Sequence, residues 1–287
     1  MNFLSFISLL SLLLFSNDWG QTGHRVVGEV ATYHLSDSAR QAVEELLDGA
    51  SLASVSNYAD WIRSDRNYDK YRTWHYVNYP FDQEYEASEK NPDGDVVQAL
   101  RKCIAVLDDP KETKASKAFY LKLLVHFIGD IHQPMHVWRM EDRGGNEIRV
   151  KWFGKSSNLH RVWDSQMIDD FQMSFTELAN DLPELSQAEI EEIQGQPLLD
   201  WVEETHPKAQ DIFENTTPNS SLGYFYRYQY FDMVKKIITI PIPCCEQKNH
   251  HHDPDFQPTT VELHLSLIHI SEPTRQAEIS YAVFCLK

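Results

Sequence analysis

Residues 119–131 read FYLKLLVHFIGDI, a nearly continuous apolar run that nevertheless carries His126 and Asp130. A spacing of four puts both side chains on one face of a helix, and the apolar neighbours turn that face inward. An imidazole and a carboxylate facing a core need partners, because burying an unpaired charge is costly. A metal ion is one such partner; a plain His–Asp hydrogen bond is the other. Pro134 stops the helix, so His136 lies beyond its end and can reach a second ion. His160 and Asp164 in NLHRVWD repeat the spacing of four. One pair alone favours the hydrogen bond; two pairs with His136 between them favour metal. Imidazole and carboxylate with little thiolate suit Zn²⁺, whereas Ca²⁺ and Mg²⁺ prefer all-oxygen sites.

The remaining pattern surrounds this run with helices. Segments 24–35, 38–48, 94–108, 117–132, 198–214 and 222–238 space their apolar residues three to four apart. Ser36 or Asp37 is placed to cap the second segment, and Pro110 to close the 94–108 segment after an Asn91-Pro92-Asp93-Gly94 turn. The exception is 146–153, NEIRVKWF, which alternates after Arg143-Gly144-Gly145 and predicts a short β-hairpin strand. No repeat and no Gly-, Pro- or Ser-rich linker interrupts the body. The expectation is therefore an all-α single domain with one short β-hairpin near 146–153. With 42% hydrophobic residues it has ample material for a core.

The termini read differently. Residues 3–15 are apolar apart from three serines, too short for a membrane span of about 20 residues and suited to the core of a secretory signal. We assign 1–18 to a signal peptide and the body of the protein to 19–238. Residues 239–264 lack helical or strand period and read as out of frame or disordered. Residues 265–287 (LSLIHISEPTR, then QAE, then ISYAVFCLK) resemble a translated sequencing adapter. That leaves Cys103, on an apolar helical face, as a core thiol, with no disulfide framework. Asn215-Thr216-Thr217 and Asn219-Ser220-Ser221 are glycosylation acceptors if a eukaryotic host secretes the chain.

Formal charge is −17, from 26 Lys+Arg against 43 Asp+Glu. This argues against binding nucleic acid through a broad basic surface, which works by neutralising phosphates. Any phosphate chemistry needs another source of positive charge. Three further segments offer candidate ligands: Asp60 in YADWIR, His75 in WHY, and Trp19-Gly20-Gln21-Thr22-Gly23-His24 directly after the signal.

The order of motifs WGxxGH, ADWIR, WHY, HFxGDxHQPxH, GGN and NLHxVWD, between about residues 19 and 236, resembles the zinc-dependent single-strand nuclease and phospholipase C superfamily. It is most similar to the nuclease branch, the S-one/P-one family with the plant bifunctional nucleases. The resemblance implies a helical phospholipase C/nuclease-like fold around three zinc ions. Asp60, His75, His126 and Asp130 would hold the first. Asp130 would bridge to a second, also bound by His24 and the backbone amine and carbonyl of Trp19, which requires cleavage immediately before Trp19. His136, His160 and Asp164 would hold the third, and His132 would hold none. Three Zn²⁺ bring six positive charges into an acidic protein. By the same resemblance, a metal-bridged hydroxide attacks phosphorus in line and releases 5′-phosphate products, with Asp60 and Asp130 in the catalytic centre.

Arg63 falls where the family has a basic residue near the scissile phosphate. Tyr76 and Asn78 match a base-stacking and base-reading position, with Asn78 where the nucleases often have Asp, and Asn146 is a further substrate contact. The function implied is a secreted or periplasmic endonuclease acting on single-stranded DNA and RNA, with 3′-mononucleotides as a further substrate class. Single-stranded nucleic acid is then the partner, with no stable membrane anchor and no obligate protein partner. A phospholipase C is the alternative, disfavoured because that branch tends to Glu where this chain has Asp164. A non-catalytic zinc-stabilised domain is the other. The family's last helix, expected after Lys236, is missing from the readable sequence.

Overall fold

The computed structural model describes residues 20–239. The segment assigned to a signal peptide (1–18), Trp19 and residues 240–287 lie outside the described residues. The chain is mainly helical. It begins with α1 (Gln21–Tyr33), α2 (Asp37–Leu46), α3 (Leu52–Val55) and α4 (Tyr58–Ile62), followed by a 3-10 segment, Arg66–His75, that runs into strand β1 (Val77–Asn78). Next come α5 (Val96–Asp108) and α6 (Lys114–His132), a 3-10 turn (Pro134–His136) and β2 (Val137–Trp138). Strands β3 (Arg149–Trp152) and β4 (Lys155–Asn158) lead into α7 (Leu159–Arg161), a widened turn (Val162–Gln166) and α8 (Met167–Asp169). The described chain closes with α9 (Phe175–Asn180), α10 (Gln187–Gly195), α11 (Leu198–Glu214), β5 (Ser221–Leu222) and α12 (Tyr224–Ile238).

Local chemistry accounts for most boundaries. Ser36 caps α2, its hydroxyl accepting from the Ala39 amide at 3.2 Å, which leaves Asp37 inside the helix to favour the positive end of its dipole. α6 starts three residues before the apolar pattern does, because Thr113 caps it and its first turn is polar. Asp109, ahead of Pro110, takes the extended conformation that a following proline imposes, and α5 ends there. α12 begins at Tyr224, since Ser221 and Leu222 join a sheet instead.

The expected hairpin forms, its first strand shorter than 146–153 and β3 pairing antiparallel with β4. Two features were not anticipated. β5 adds to β3 in parallel from far along the chain, and β1 pairs in parallel with β2. That second pairing matters, because it ties the residue after Tyr76 to the residue after His136. α3, α4, α9 and α10 are short or polar and gave no clear period.

α6 is the axis of the molecule. It packs against α5, α1, α4 and α11, and every residue from Leu123 to His132 is buried. α1 approaches α3 closely enough that only glycine fits at position 28, where a Cβ would lie 2.7 Å from the Leu52 and Ala53 backbone. Among the described residues no helix is long and apolar enough to cross a membrane.

Candidate metal centre

The inner end of α6 presents His126 and Asp130 on one face, as their spacing requires. Five other segments converge on them. α1 brings His24, whose ring stacks on His126 with centroids 3.7 Å apart. α4 brings Asp60, and the end of the 3-10 segment brings His75. The turn after α6 supplies His136, and α7 with its widened turn supplies His160 and Asp164. Ligand-type atoms fall into three groups, each within 4.8 Å: His24, His126 and Asp130; Asp60, His75 and His126; His136, His160 and Asp164.

Asp130 is fully buried and sits at the junction. Its Oδ2 lies 3.1 Å from His75 Nδ1 and 3.2 Å from His126 Nε2. Its Oδ1 lies 2.9 Å from His136 Nδ1 and 3.6 Å from His24 Nε2. At the far end, the Asp164 oxygens lie 3.2 Å from His136 Nε2 and 3.1 Å from His160 Nε2.

Backbone carbonyls orient the rings from behind. His126 Nδ1 donates to the Ser56 carbonyl at 2.7 Å, His160 Nδ1 to Gly144 at 2.7 Å, and His136 Nδ1 to His75 at 2.9 Å. In the neutral ring this leaves Nε2 with a lone pair aimed into the cluster, the arrangement typical of metal-ligating histidines. His75 is turned the other way, Nδ1 inward, only 3.0 Å from His126 Nε2. Lone pairs directed at each other and at buried carboxylates repel. Asp130 Oδ1 and both Asp164 oxygens are buried, with imidazole nitrogens 2.9–3.2 Å away as their nearest polar neighbours. A cation satisfies these atoms together, and the N/O donor set is one that transition metals accept.

Without metal the cluster retains protons. Burial pushes each imidazole down and is the largest influence on all of them. For His126 the charges of Asp130 and Asp60 outweigh it and raise the pKa to about 9. His136 is raised well above the usual range by Asp130 and Asp164, and His160 is raised by Asp164. His75, facing protonated His126, stays down at about 4, and buried His24 is lowered well below its usual value. Burial acts to raise Asp130 too, but His126 and His136 hold it well below the carboxylate range.

The substrate candidates occupy the rim. Arg63 Nη1 is 3.7 Å from Asp60 Oδ1, with side chains 22% and 17% exposed. Tyr76 is half-buried, its ring 5.7 Å from that of Trp138, and Asn78 sits beside Trp138 in the β1–β2 register. Asn146 donates from Nδ2 to the Arg143 carbonyl at 2.9 Å, which orders the turn before β3. His132 points away from the cluster, with Nδ1 on the Ile128 carbonyl at 2.7 Å and its ring against Trp201. Trp19 lies outside the described residues; the amide of Gly20 donates to the Asp164 carbonyl at 2.5 Å.

The sequence reading missed the carbonyls of Ser56 and Gly144 and the ring of Trp138. The Gly144-Gly145 pair, read as the lead into the hairpin strand and as part of the GGN motif, was the available signal. The open clefts of about 370 Å³, beside Phe81 and Arg139, and about 270 Å³, beside Phe153 and Arg227, contain none of the cluster residues.

A family model described as S1/P1 Nuclease matches residues 19–240. Endonuclease 4 of Arabidopsis thaliana is 29% identical over 255 residues, covering 76% of this chain and 83% of that protein. Endonuclease 2 of the same plant is 34% identical over 166 residues, 53% of this chain and 56% of its own length. Nuclease S1 of Aspergillus oryzae is 29% identical over 178 residues, 56% of this chain and 58% of its own.

Proposed function

The chain belongs to the S1/P1 nuclease family, enzymes that hydrolyse phosphodiester bonds, and on that premise we propose that it is a zinc-dependent endonuclease of single-stranded DNA and RNA leaving 5′-phosphates. 3′-Mononucleotides are a further substrate class. The observation that carries the reading is Asp130, a buried carboxylate reached by four imidazoles at the junction of three donor groups.

Asp60, His75, His126 and Asp130 would hold one zinc, His136, His160 and Asp164 another, and His24 and Asp130, with the Trp19 terminus, a third. When bound, such ions supply positive charge for the developing oxyanion and an activated water near neutral pH. Around them the protein's own groups bind and orient. The guanidinium of Arg63, at the open side of Asp60, neutralises a phosphate oxygen. Tyr76 offers a face for an unpaired base, and Asn78 can hydrogen-bond to its edge. A base inside a duplex cannot reach such a ring without unstacking, which favours single strands. Secretion, to the extracellular space or a periplasm, is supported by the apolar 3–15 segment and suits a mature terminus at Trp19.

The test incubates purified, signal-cleaved protein beginning at Trp19 with single-stranded DNA, duplex DNA and phosphatidylcholine, each with and without chelator. We expect chelator-sensitive release of 5′-phosphorylated products from the single strand, and about three zinc ions per chain by elemental analysis. Diacylglycerol release without nucleotides would reject the reading in favour of a phospholipase C.

A further inference from the structure

One large aromatic beside the cluster has no part in the site described so far. Trp61 is 50% exposed, whereas Trp138, Trp152, Trp163 and Trp201 are 8% exposed or less. Isolated exposed apolar residues are ordinary. This one directly follows Asp60 in α4, a helix of five residues. Successive helical side chains diverge by about 100°, so with Asp60 directed into the cluster, Trp61 stands at its rim. Tyr58 lies three residues earlier on the Trp61 side of α4, as Asp60 and Arg63 share the inner side. Its half-buried ring meets Phe119 edge-on at 5.9 Å and carries Lys122 Nζ 4.8 Å from its centroid.

The local charge also differs from that of the whole. In the stretch 61–72, Arg63, Arg66, Lys70 and Arg72 stand against Asp65 and Asp69, a balance of 4 − 2 = +2 in a chain of −17. Arg72 pairs with Asp69 at 2.7 Å, and Arg63 lies 3.7 Å from Asp60. Aromatic faces interleaved with cations are what an unpaired polynucleotide requires: stacking for the bases, charge for the backbone.

Resting on the nuclease reading, we propose that Trp61 is a stacking platform for single-stranded nucleic acid, holding a base adjacent to the nucleotide at the metal centre, with Tyr58 and the Arg63–Arg72 cations continuing the track along the surface. Trp61 is thus a substrate-binding residue that extends the site beyond one nucleotide. It should affect long substrates and spare those too short to reach it.

The experiment uses signal-cleaved, zinc-loaded protein and a labelled phosphorothioate-linked oligothymidylate of about twelve nucleotides, within the span of common single-strand sites. Fluorescence anisotropy should show Trp61→Ala binding roughly tenfold more weakly, the loss expected of one stacked base, with Trp61→Phe restoring most of it. Quenching of tryptophan emission on binding should fall in Trp61→Phe. On cleavable single strands Trp61→Ala should raise KM by a similar factor and leave kcat, and turnover of a dinucleotide, within about twofold. Binding by Trp61→Ala equal to that of the wild type overturns the proposal, as does an equal loss on the dinucleotide, which would mean damage to the centre itself. The binding arm needs no hydrolysis. Oligonucleotide held through Trp61 but never cleaved would sink the nuclease reading alone, and cleavage indifferent to Trp61 would sink this inference alone.

Discussion

His126 and His136, on the cluster side of the α6 end, can be set against His132, which faces α11, and His206, within α11. All four are buried imidazoles, and each donates to or lies against a backbone carbonyl. Desolvation is the strongest influence on every one and disfavours the charged ring. Yet His126 rises to about 9 and His136 well above its usual value, while His132 and His206 fall to about 4. The difference lies in the company of carboxylates. Asp60, Asp130 and Asp164 face the first pair; His132 has the Ile128 carbonyl and a Trp201 ring, and His206 the Tyr79 carbonyl and ring. Burial therefore marks a core histidine, and burial together with buried acids marks a place that demands a cation, filled by protons when metal is withheld.

The largest expected effect comes from removing the shared acid. Asp130→Asn keeps the shape and deletes the charge that both His126 and His136 rely on. Bound metal should drop by about two ions and kcat/KM by about a thousandfold or more, several kcal/mol of lost charge stabilisation. His132→Gln, two residues away, should keep full metal content. Elemental analysis of both proteins decides the matter; Asp130→Asn with undiminished zinc would show that the acid does not join the groups.

A smaller and one-sided effect should follow from Gly144→Ala. Gly144 has φ +63°, and a Cβ there would meet the Met135 carbonyl at 2.4 Å and Trp138 Nε1 at 2.9 Å. Its own carbonyl holds His160 Nδ1. Moving that carbonyl loosens the His160 ring, so affinity for the metal at His136, His160 and Asp164 should weaken by about 10- to 100-fold. Competitive chelator titration should show one weakened ion and the others unchanged. A uniform loss would mean that the turn supports the fold as a whole.

The same contrast explains what could be read from the chain in advance. The pairs His126/Asp130 and His160/Asp164 were legible because a helix fixes the relation of residues four apart, whatever the rest of the fold does. His132 and His136 are indistinguishable on that basis. What separates them is the turn at Pro134, which already set His136 beyond the helix in the sequence, and the acids it brings His136 toward; only the family resemblance set His132 aside. Asp60 and His75 come from short segments without clear period, and their convergence depends on long-range packing against α6. The carbonyls of Ser56 and Gly144 have no side-chain signature. The pairing of β1 with β2 was equally hidden, since two-residue strands carry no alternation.

The finest test reads the two classes of histidine by opposite pH slopes in chelated protein. His206 has a folded pKa near 4, below the unfolded value of about 6.5, so the unfolded chain binds its proton more readily. Its contribution is whole above pH 6.5 and is lost as pH falls toward 4. His126 has a folded pKa near 9, so its contribution is whole below pH 6.5 and is lost as pH rises through 9. Melting temperatures of the stripped protein should therefore fall on both sides of neutrality. His206→Gln, which keeps a donor for the Tyr79 carbonyl without titrating, should make the acid side shallower and leave the alkaline side unchanged. Zinc should flatten the alkaline side, because metal and not a proton then occupies His126. An alkaline slope that persists unchanged with zinc bound would mean that His126 is not a ligand, and that its raised affinity for a proton reports nothing more than a buried ion pair.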